Sequence, residues 1–317
     1  MPDKVLIYSR FPKAQLVRFG ERYELLNAAG KRPDEAYSAA ELADVRAMIA
    51  AGGAPLGGEA MDMLPKLGAI VCYGTGYDGV DLAAAAKRGI AVGHSPGANA
   101  ASVADIAVTL MLATVRRLLV VDNYVRSGDW AGRKPSPMMR PQAGMRGRKV
   151  GVYGMGEIGR KIAARVAAFE TEVGYFSRTK YDLPYHYLPS LEALADWCSV
   201  LIVAVRAGPE TNQVVNDDIL RRLGGDGFVV NISRGSVIDE TALVQALTDQ
   251  TIAGAGLDVF AEEPHGPDAL TALPNVVLSP HLGGHTLESH VAMQDCVLAN
   301  LDAFFAGKPL PYQVKGA

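Results

Sequence analysis

Short apolar runs rich in β-branched residues alternate along the chain with longer segments in which alanine and leucine recur at helical spacing. In the first third, the strand-like runs are VLIY (5–8), YELL (23–26), AIVCYG (69–74) and IAVGH (90–94). The segment DLAAAAKRG (81–89) between the last two has the pattern of a helix that ends in glycine. Regular alternation of strands and helices is typical of an α/β fold with parallel sheets, and we predict that architecture.

The alternation restarts more strongly near residue 149. A strand is predicted at KVGVYG (149–154), a helix at 157–169 and a further strand at TEVGYF (171–176). Later strands are predicted at 200–205, 227–233, 254–261 and 275–280, with helices near 191–197 and 216–223. This second set has the layout of a nucleotide-binding domain. Because a last helix, at about 287–306, follows it, we predict that the second domain is inserted into the first.

Composition and charge narrow the class of protein. The chain has 317 residues, of which 49% are apolar and 21% charged, and its net charge is −3, so we expect neither nucleic acid nor an anionic membrane as a partner. The long apolar segment 103–121 contains Asp105, Arg116 and Arg117, which favours a buried helix over a membrane span. The apolar run at the N-terminus is too short for a signal peptide.

The three cysteines lie far apart in the sequence and form no C-x-x-C pair. This spacing predicts neither a disulfide framework nor a zinc site, and it fits a reducing, cytoplasmic compartment. The six histidines do not have the spacing of metal ligands with acids or cysteines, so we predict no metal.

A glycine motif, G-x-G-x-x-G, begins where the strand at 149–154 ends and runs into the next helix. Its first glycine permits a tight turn, its second lets the backbone approach a pyrophosphate, and its third lets helix and strand pack closely. An ordinary strand–helix turn with incidental glycines is the alternative. The motif predicts cofactor binding by Gly154, Met155, Gly156, Glu157, Ile158 and Gly159.

The segment YFSRTK (175–180) lies where an acidic residue normally meets the adenosine ribose of NAD. Position 177, 23 residues after Gly154, is a serine, and two cations follow it. A 2′-phosphate is a good partner for such hydroxyls and cations, so we expect NADP(H) to be preferred, with NAD(H) possible. The alternative is a solvated basic turn, with Glu172 or Asp182 as the ribose ligand. The residues predicted to bind this end of the cofactor are Ser177, Arg178, Thr179 and Lys180.

Three predicted strands end in reactive side chains, namely Arg234, Glu263 and His281. Ligands of open α/β sheets bind beyond the carboxyl ends of the strands, so these groups face the crevice that the glycine motif serves. Arginine can hold a carboxylate, histidine can donate a proton near neutral pH, and a carboxylate can orient that histidine. Taken singly, each has a structural alternative as an ion pair or a loop residue. The other five histidines have no comparable partners in the sequence.

The chain resembles the D-isomer-specific 2-hydroxyacid dehydrogenases over nearly its whole length. The resemblance is carried by PGANAASVAD (96–105), VGVYGMGEIG (150–159), NISRGSVID (231–239), GLDVFAEEP (256–264) and SPHLGG (279–284). It implies two Rossmann-like domains: an NADP-binding domain at 99–286, inserted into a flavodoxin-like substrate domain formed by residues 1–98 and 287–317. It also implies a homodimer formed through the cofactor domain.

The resemblance also assigns roles to residues. Arg234 would bind substrate, Glu263 would be the partner carboxylate, and His281 would be the acid/base that contacts substrate. Asp258 would contact the nicotinamide carboxamide. Backbone amides near Gly74 would form a small nest for the substrate carboxylate. The remaining expected contacts are Tyr73, Thr75 and Gly76 for substrate, and Ser102 and Val205 for cofactor. Arg206 lies where the chain departs from the family pattern, and it is expected either as a second phosphate contact or as a simply exposed residue.

Within that family, YFSRTK resembles glyoxylate/hydroxypyruvate reductases and plant hydroxyphenylpyruvate reductases, which favour NADPH. We therefore expect reduction of hydroxypyruvate and glyoxylate by NADPH, with other 2-keto acids, phenylpyruvate-type or sugar-derived, as the alternative. Trp130 and the 134–145 loop are expected to shape the substrate pocket. A nucleotide-sensing protein, similar to the C-terminal-binding-protein corepressors, is a further alternative.

Overall fold

The computed structural model of the chain describes residues 2–136 and 143–315. It divides into two compact units, Met1–Asn99 with Gly284–Ala317, and Ala100–Gly283. The second unit interrupts the sequence of the first, as an inserted domain does. No helix in the described part of the chain is long and apolar enough to cross a membrane.

The two units contain twelve strands and thirteen α-helices among the described residues. The strands are β1 Lys4–Ile7, β2 Glu24–Asn27, β3 Val45–Ala51, β4 Ala69–Tyr73, β5 Ala91–Gly93, β6 Lys149–Tyr153, β7 Glu172–Phe176, β8 His186–Tyr187, β9 Val200–Val203, β10 Phe228–Asn231, β11 Gly254–Leu257 and β12 Val276–Leu278. The helices are α1 Lys13–Gly20, α2 Pro33–Ala36, α3 Ala39–Leu42, α4 Gly58–Asp62, α5 Leu82–Lys87, α6 Ala100–Val115, α7 Leu118–Arg126, α8 Glu157–Ala167, α9 Leu191–Trp197, α10 Asp217–Leu223, α11 Glu240–Thr248, α12 Asp268–Thr271 and α13 Leu287–Phe305.

The first unit is built on a five-stranded parallel sheet with the order β2-β1-β3-β4-β5. This is the order of flavodoxin-like folds, in which the chain turns back at β1 and β3. Strand β3 was not among the strands predicted from the sequence. Its alanines and methionine do not have the β-branched composition of the other strands, yet four consecutive residues from Ala47 to Ala50 are fully buried.

The second unit is built on a seven-stranded parallel sheet with the order β12-β11-β10-β9-β6-β7-β8. The chain leaves β6 toward β7 and β8 and then returns to β9 on the other side of β6. The point where the order reverses therefore lies between β6 and β9, and ligands of doubly wound sheets bind at the carboxyl ends of strands there. Both sheets confirm the predicted α/β class with two Rossmann-like domains.

Side chains of the seven-stranded sheet alternate between two buried clusters. On one face Val150, Val152 and Ile202 pack with α6 and α8, and on the other Leu201 and Val203 pack with α9, α10 and α11. Because successive residues of a strand point to opposite faces, a sheet covered on both sides needs apolar residues at nearly every position. The fully buried strands β9 and β10 have this composition.

The segment predicted as one buried helix at 103–121 is divided between two helices. The chain breaks at Arg117, whose φ of 47° lies in the left-handed region. Helix α6 has ten buried residues, whereas α7 has none, and Leu118, Leu119 and Val125 on α7 are more than half exposed. The expectation of a buried helix is therefore right for α6 and wrong for α7.

Candidate active site

The glycine motif joins β6 to α8, and each of its glycines has a different environment. Gly154 has a φ of 101°, and a Cβ on it would lie 2.5 Å from the carbonyl oxygen of Ala204. A Cβ on Gly159 would lie 2.0 Å from the carbonyl oxygen of Gly154. In contrast, a Cβ on Gly156 would meet no atom within 4 Å. The first and third glycines are thus required by packing, whereas the second leaves open space.

Gly156 is also the N-cap residue of α8 and offers no side-chain cap to the first turn. The first backbone N–H groups of a helix lack intrahelical partners, and together with the helix dipole they favour an anion. The open space at Gly156 therefore fits a dinucleotide pyrophosphate. The side chain of Met155 is buried in the core, Ile158 is partly buried, and the carboxylate of Glu157 is exposed.

The loop after β7 holds the predicted 2′-phosphate residues, at the carboxyl end of the strand beside β6. The hydroxyl of Ser177 donates to the carbonyl oxygen of Thr179 at 2.6 Å. The ammonium of Lys180 lies 5.6 Å from the centre of the Tyr187 ring. Glu172, one of the alternative ribose ligands, begins β7 and so lies at the opposite edge of the sheet. The other, Asp182, is exposed beyond Tyr181.

Arg178 in the same loop forms an ion pair that the sequence did not predict. Its Nη1 atom lies 3.4 Å from Oε2 of Glu210, and both side chains are exposed. Glu210 belongs to a one-turn 3-10 helix, Pro209–Thr211, in the loop after β9. No local pattern signals this contact, because the two residues are 32 positions apart in the sequence.

The loop after β9 also contains the two other residues expected near the cofactor. Val205 is partly buried against the core, and its carbonyl oxygen accepts a hydrogen bond from the hydroxyl of Ser233. Arg206 is exposed, and its carbonyl oxygen accepts from the hydroxyl of Thr211 at 2.9 Å. These contacts fix the backbone of the loop beside the glycine motif.

Glu263 and His281 are in direct contact. The Nδ1 atom of His281 lies 2.6 Å from Oε2 of Glu263, and Oε1 of the same carboxylate accepts from the backbone N–H of Phe260 at 3.1 Å. Partial burial alone would raise the pKa of Glu263, but the hydrogen bond and charge of His281, helped by Phe260 and Arg234, hold it below its ordinary value. Since Nδ1 is engaged, Nε2 is the ring nitrogen that can reach a ligand.

Arg234 follows β10, the strand next to β11 in the sheet. The side chain of Asn231 accepts from the N–H of Ser233 at 3.0 Å and donates to the carbonyl oxygen of Arg234 at 2.9 Å, which shapes the turn. A Cβ on Gly235 would lie 1.8 Å from the carbonyl carbon of Phe260, so this turn and the one that carries Glu263 touch. Arg234 and Glu263 are therefore brought to one edge of the sheet.

Asp258 is almost fully buried, at 2% exposure, and it organises the segment that contains His281. Its two carboxylate oxygens accept the backbone N–H groups of Leu282 at 2.9 Å and Gly283 at 2.8 Å. Its carbonyl oxygen accepts the N–H of His281, whose φ is 56°. Ser102 on α6 adds another tie, since its hydroxyl donates to the carbonyl oxygen of Gly283 at 2.6 Å. Both residues thus position the histidine segment.

The first unit holds the predicted carboxylate nest, at the end of β4. Gly74 has a φ of 120°, and its carbonyl oxygen accepts the N–H of Ser95. The hydroxyl of Thr75 lies 2.8 Å from Oδ1 of Asn99, and a Cβ on Gly52 would lie 1.8 Å from the carbonyl oxygen of Gly76. Side-chain and backbone contacts therefore fix the path of the loop from Gly74 to Gly76.

Two histidines near Tyr73 have partners that the sequence did not indicate. The hydroxyl of Tyr73 lies 2.9 Å from Nδ1 of His290, and Nε2 of His290 lies 3.0 Å from Nδ1 of His285. Burial and the neighbouring His285 lower the pKa of His290. Nδ1 of His94, the residue after β5, lies 3.0 Å from the carbonyl oxygen of Thr75.

A cavity of about 890 Å³ opens at the opposite edge of the seven-stranded sheet, where the strands begin. Its lining includes Arg148, Ser199, Phe228 and Asn275. Ligands of open α/β sheets bind at the carboxyl ends of the strands, so the predicted cofactor is not assigned to this cavity.

Within residues 2–136 and 143–315 there is no cluster of three or more metal-ligating side chains. Trp130 is exposed, and the 134–145 loop expected to shape the pocket falls in part on residues 137–142, outside the described residues.

Comparisons with known proteins agree with this arrangement. Residues 108–283 match the family model described as D-isomer specific 2-hydroxyacid dehydrogenase, NAD binding domain. A 2-ketogluconate reductase from Gluconobacter oxydans is 43% identical over 84% of this chain and 85% of its own length, and a hydroxyphenylpyruvate reductase from Plectranthus scutellarioides is 37% identical over 92% of each. Among solved structures, an NADPH-dependent glyoxylate/hydroxypyruvate reductase from Sinorhizobium meliloti, in complex with NADP and malonate, has a TM-score of 0.92 at 36% identity, covering 100% of this chain and 98% of that one.

Proposed function

We propose that this chain, which belongs to the D-isomer specific 2-hydroxyacid dehydrogenase family, uses NADPH to reduce small 2-keto acids to D-2-hydroxy acids. Hydroxypyruvate and glyoxylate are the first candidates as substrates. The observation that carries the proposal is the 2.6 Å contact between His281 and Glu263, at the sheet edge that also bears the glycine motif. A histidine backed by a carboxylate is suited to proton transfer in carbonyl reduction.

The proposed mechanism divides the work among three side chains. Nε2 of His281 donates its proton to the keto oxygen, which becomes the hydroxyl of the product. Glu263 keeps the imidazole ring in orientation through Nδ1. The guanidinium of Arg234, planar and always charged, pairs with the substrate carboxylate. NADPH, when bound, supplies the hydride.

A further carboxylate-binding segment is proposed in the first unit, in the loop after β4. A loop with a positive φ at Gly74 can turn successive backbone N–H groups toward one anion. The carbonyl oxygens of Gly74 and Thr75 are engaged by Ser95 and His94, which supports an arrangement with the amides available to a ligand. We assign this role to the backbone from Gly74 to Gly76, beside Tyr73.

NADP(H) is the proposed cofactor, with NAD(H) as a weaker substitute. Arg178, Lys180 and the hydroxyls of Ser177 and Thr179 offer charge and hydrogen bonds to a 2′-phosphate at the end of β7. The pyrophosphate would lie against the open space at Gly156. The presence of NADP in the similar Sinorhizobium meliloti structure supports this assignment. Asp258 would still contact the nicotinamide carboxamide, as the family resemblance implies.

Sugar-derived 2-keto acids are the second candidate substrates. The observation in their favour is the 43% identity to a 2-ketogluconate reductase over 84% of this chain. The 37% identity to a hydroxyphenylpyruvate reductase supports phenylpyruvate-type substrates less strongly.

We also propose a homodimer formed through the cofactor domain. Helix α7 belongs to that domain and has no buried residue, although Leu118, Leu119 and Val125 are apolar. Covering these side chains with a second copy would remove them from water.

A substrate panel tests the proposal. The purified chain is assayed with hydroxypyruvate, glyoxylate, 2-ketogluconate and 4-hydroxyphenylpyruvate, each with NADPH and with NADH, and kcat/KM is determined for every combination. We expect the highest value for hydroxypyruvate or glyoxylate with NADPH. A higher value with NADH would contradict the cofactor assignment, and negligible turnover of every keto acid would instead favour the nucleotide-sensing alternative.

A further inference from the structure

The ion pair between Arg178 and Glu210 spans the place where the adenosine end of the cofactor is proposed to bind. Arg178 follows β7 and Glu210 follows β9, and the sheet order β9-β6-β7 puts these strands on either side of β6. The glycine motif follows β6 at the same edge. The guanidinium and the carboxylate therefore meet across the loop that would hold the dinucleotide.

The position of Glu210 is determined by its own loop. The hydroxyl of Thr211 lies 2.9 Å from the carbonyl oxygen of Arg206 and 3.2 Å from that of Gly208, which closes the short helix Pro209–Thr211. The acid is thus presented toward Arg178 by a fixed turn rather than by a long flexible segment. At 80% exposure for Glu210 and 90% for Arg178, the pair itself contributes little to stability, so a ligand can replace either partner.

We infer that Glu210 is a specificity-determining residue for the cofactor and supplies from the β9 loop the acid that Ser177 does not provide. Its carboxylate competes with a 2′-phosphate for the guanidinium of Arg178 and repels that phosphate. With a cofactor that has a free 2′-hydroxyl, the same carboxylate can accept a hydrogen bond from the ribose. Glu210 therefore moderates the preference for NADP(H) and supports the use of NAD(H). The inference rests on the proposed 2′-phosphate site.

A binding experiment without turnover isolates this effect. Dissociation constants of adenosine 2′,5′-bisphosphate and adenosine 5′-monophosphate are measured by calorimetry for the full chain, and their ratio gives the preference for the 2′-phosphate. In Glu210→Gln we expect this preference to rise about two- to fivefold, the range for one exposed charge. The gain should shrink near 1 M salt, where the Debye length is about 3 Å.

Glu172→Gln is the matched control. Glu172 is another exposed acid of the same domain, but it begins β7, and the four residue steps to Phe176 separate it from the Arg178 loop by about 13 Å. We expect the preference of Glu172→Gln for the 2′-phosphate to equal that of the wild type. In a chain that already carries Arg178→Ala, Glu210→Gln should have a smaller effect, because part of its action passes through the guanidinium.

The outcomes separate this inference from the proposed function. A wild-type chain that binds the two ligands equally would contradict the proposed 2′-phosphate site, whatever the variants do. A wild type that prefers the bisphosphate, with an unchanged or lower preference in Glu210→Gln, would overturn the role of Glu210. A purely structural role would weaken both ligands equally and leave the ratio unchanged, and Glu210→Asp, which keeps the charge, should stay closest to the wild type.

Discussion

At the residue scale, the histidine of the candidate site is held in an uncommon backbone conformation. A φ of 56° is unfavourable for any residue with a Cβ, and His281 keeps it while its N–H donates to the carbonyl oxygen of Asp258. The next two N–H groups donate to the carboxylate of the same aspartate. Asp258 therefore fixes the backbone that carries the imidazole, and Glu263 engages Nδ1 and leaves Nε2 as the ring nitrogen that can reach a ligand.

His281→Ala should lower kcat for hydroxypyruvate reduction by about 10²- to 10⁴-fold, since it removes the proposed proton donor. Binding of NADPH should change little, because the imidazole is proposed to meet the substrate rather than the adenosine end of the cofactor. Stopped-flow and steady-state assays measure the rate, and fluorescence titration measures cofactor binding. The control is His186→Ala, which removes an exposed histidine on the edge strand β8. A His281→Ala chain with wild-type kcat would exclude the assigned role.

The lowered pKa of Glu263 predicts that the stability of the fold depends on pH. Its pKa in the folded chain is lowered, chiefly by His281, so its ionised form stabilises the fold above the pKa of the unfolded chain. This contribution is lost as the pH falls through the lowered, folded-state value. We expect wild type to be more stable than Glu263→Gln at neutral pH, and the difference in melting temperature to shrink on acidification. A difference that grows toward acid pH would contradict the assigned direction.

At the element scale, the β6–α8 connection separates glycines needed for packing from one available for binding. Gly154 and Gly159 are pressed against backbone atoms, whereas Gly156 faces open space at the start of the helix. Substitutions within the six-residue glycine motif can therefore change the packing of β6 against α8 and the proposed binding of the cofactor independently.

Gly156→Ala should leave the melting temperature nearly unchanged and weaken NADPH binding at least about tenfold, equivalent to ~1.4 kcal/mol. The added methyl group enters the space that the pyrophosphate would use but meets no protein atom within 4 Å. Gly159→Ala should instead destabilise the fold by ~1–3 kcal/mol, as overpacking does. Thermal melts and calorimetric titration test both variants, with Gly144→Ala, another open position, as the control. Tight binding by Gly156→Ala would contradict the assignment.

Periodicity predicted most elements and the shared edge of the three reactive side chains, because strand ends in a parallel sheet meet by topology. It missed the edge strand β8, the helices α1–α4, α11 and α12, and also β3, whose alanines pack as a buried strand only because β1 and β4 flank it. It also predicted α6 and α7 as one helix, because apolar residues continue past Arg117. The helical conformation of the backbone is interrupted at that residue. The contacts of Glu210 and His290 escaped prediction for another reason. Each joins segments far apart in the sequence, so no local pattern encodes them.

At the scale of the whole molecule, α7 raises the question of what stabilises it. Isolated helices shorter than about 12–15 residues are marginal in water, and α7 has nine residues with none buried. Single exposed apolar residues are common on protein surfaces, but Leu118, Leu119 and Val125 share one short helix. A second copy of the chain would supply the missing apolar contact.

Leu119→Glu should therefore shift the proposed dimer to a monomer, because a carboxylate buried in the proposed interface would lose its hydration without a partner. Light scattering coupled to size exclusion would report half the mass of the wild-type particle, and circular dichroism would report helix loss if α7 frays when uncovered.

The control is Val17→Glu, which places the same charge on a comparably exposed apolar position in the other unit. Dissociation of both variants would point to a general charge effect, and a wild type that is monomeric at micromolar concentration would remove the dimer proposal. Loss of activity together with dissociation of Leu119→Glu, and with neither change in Val17→Glu, would indicate that the paired state also supports the active site.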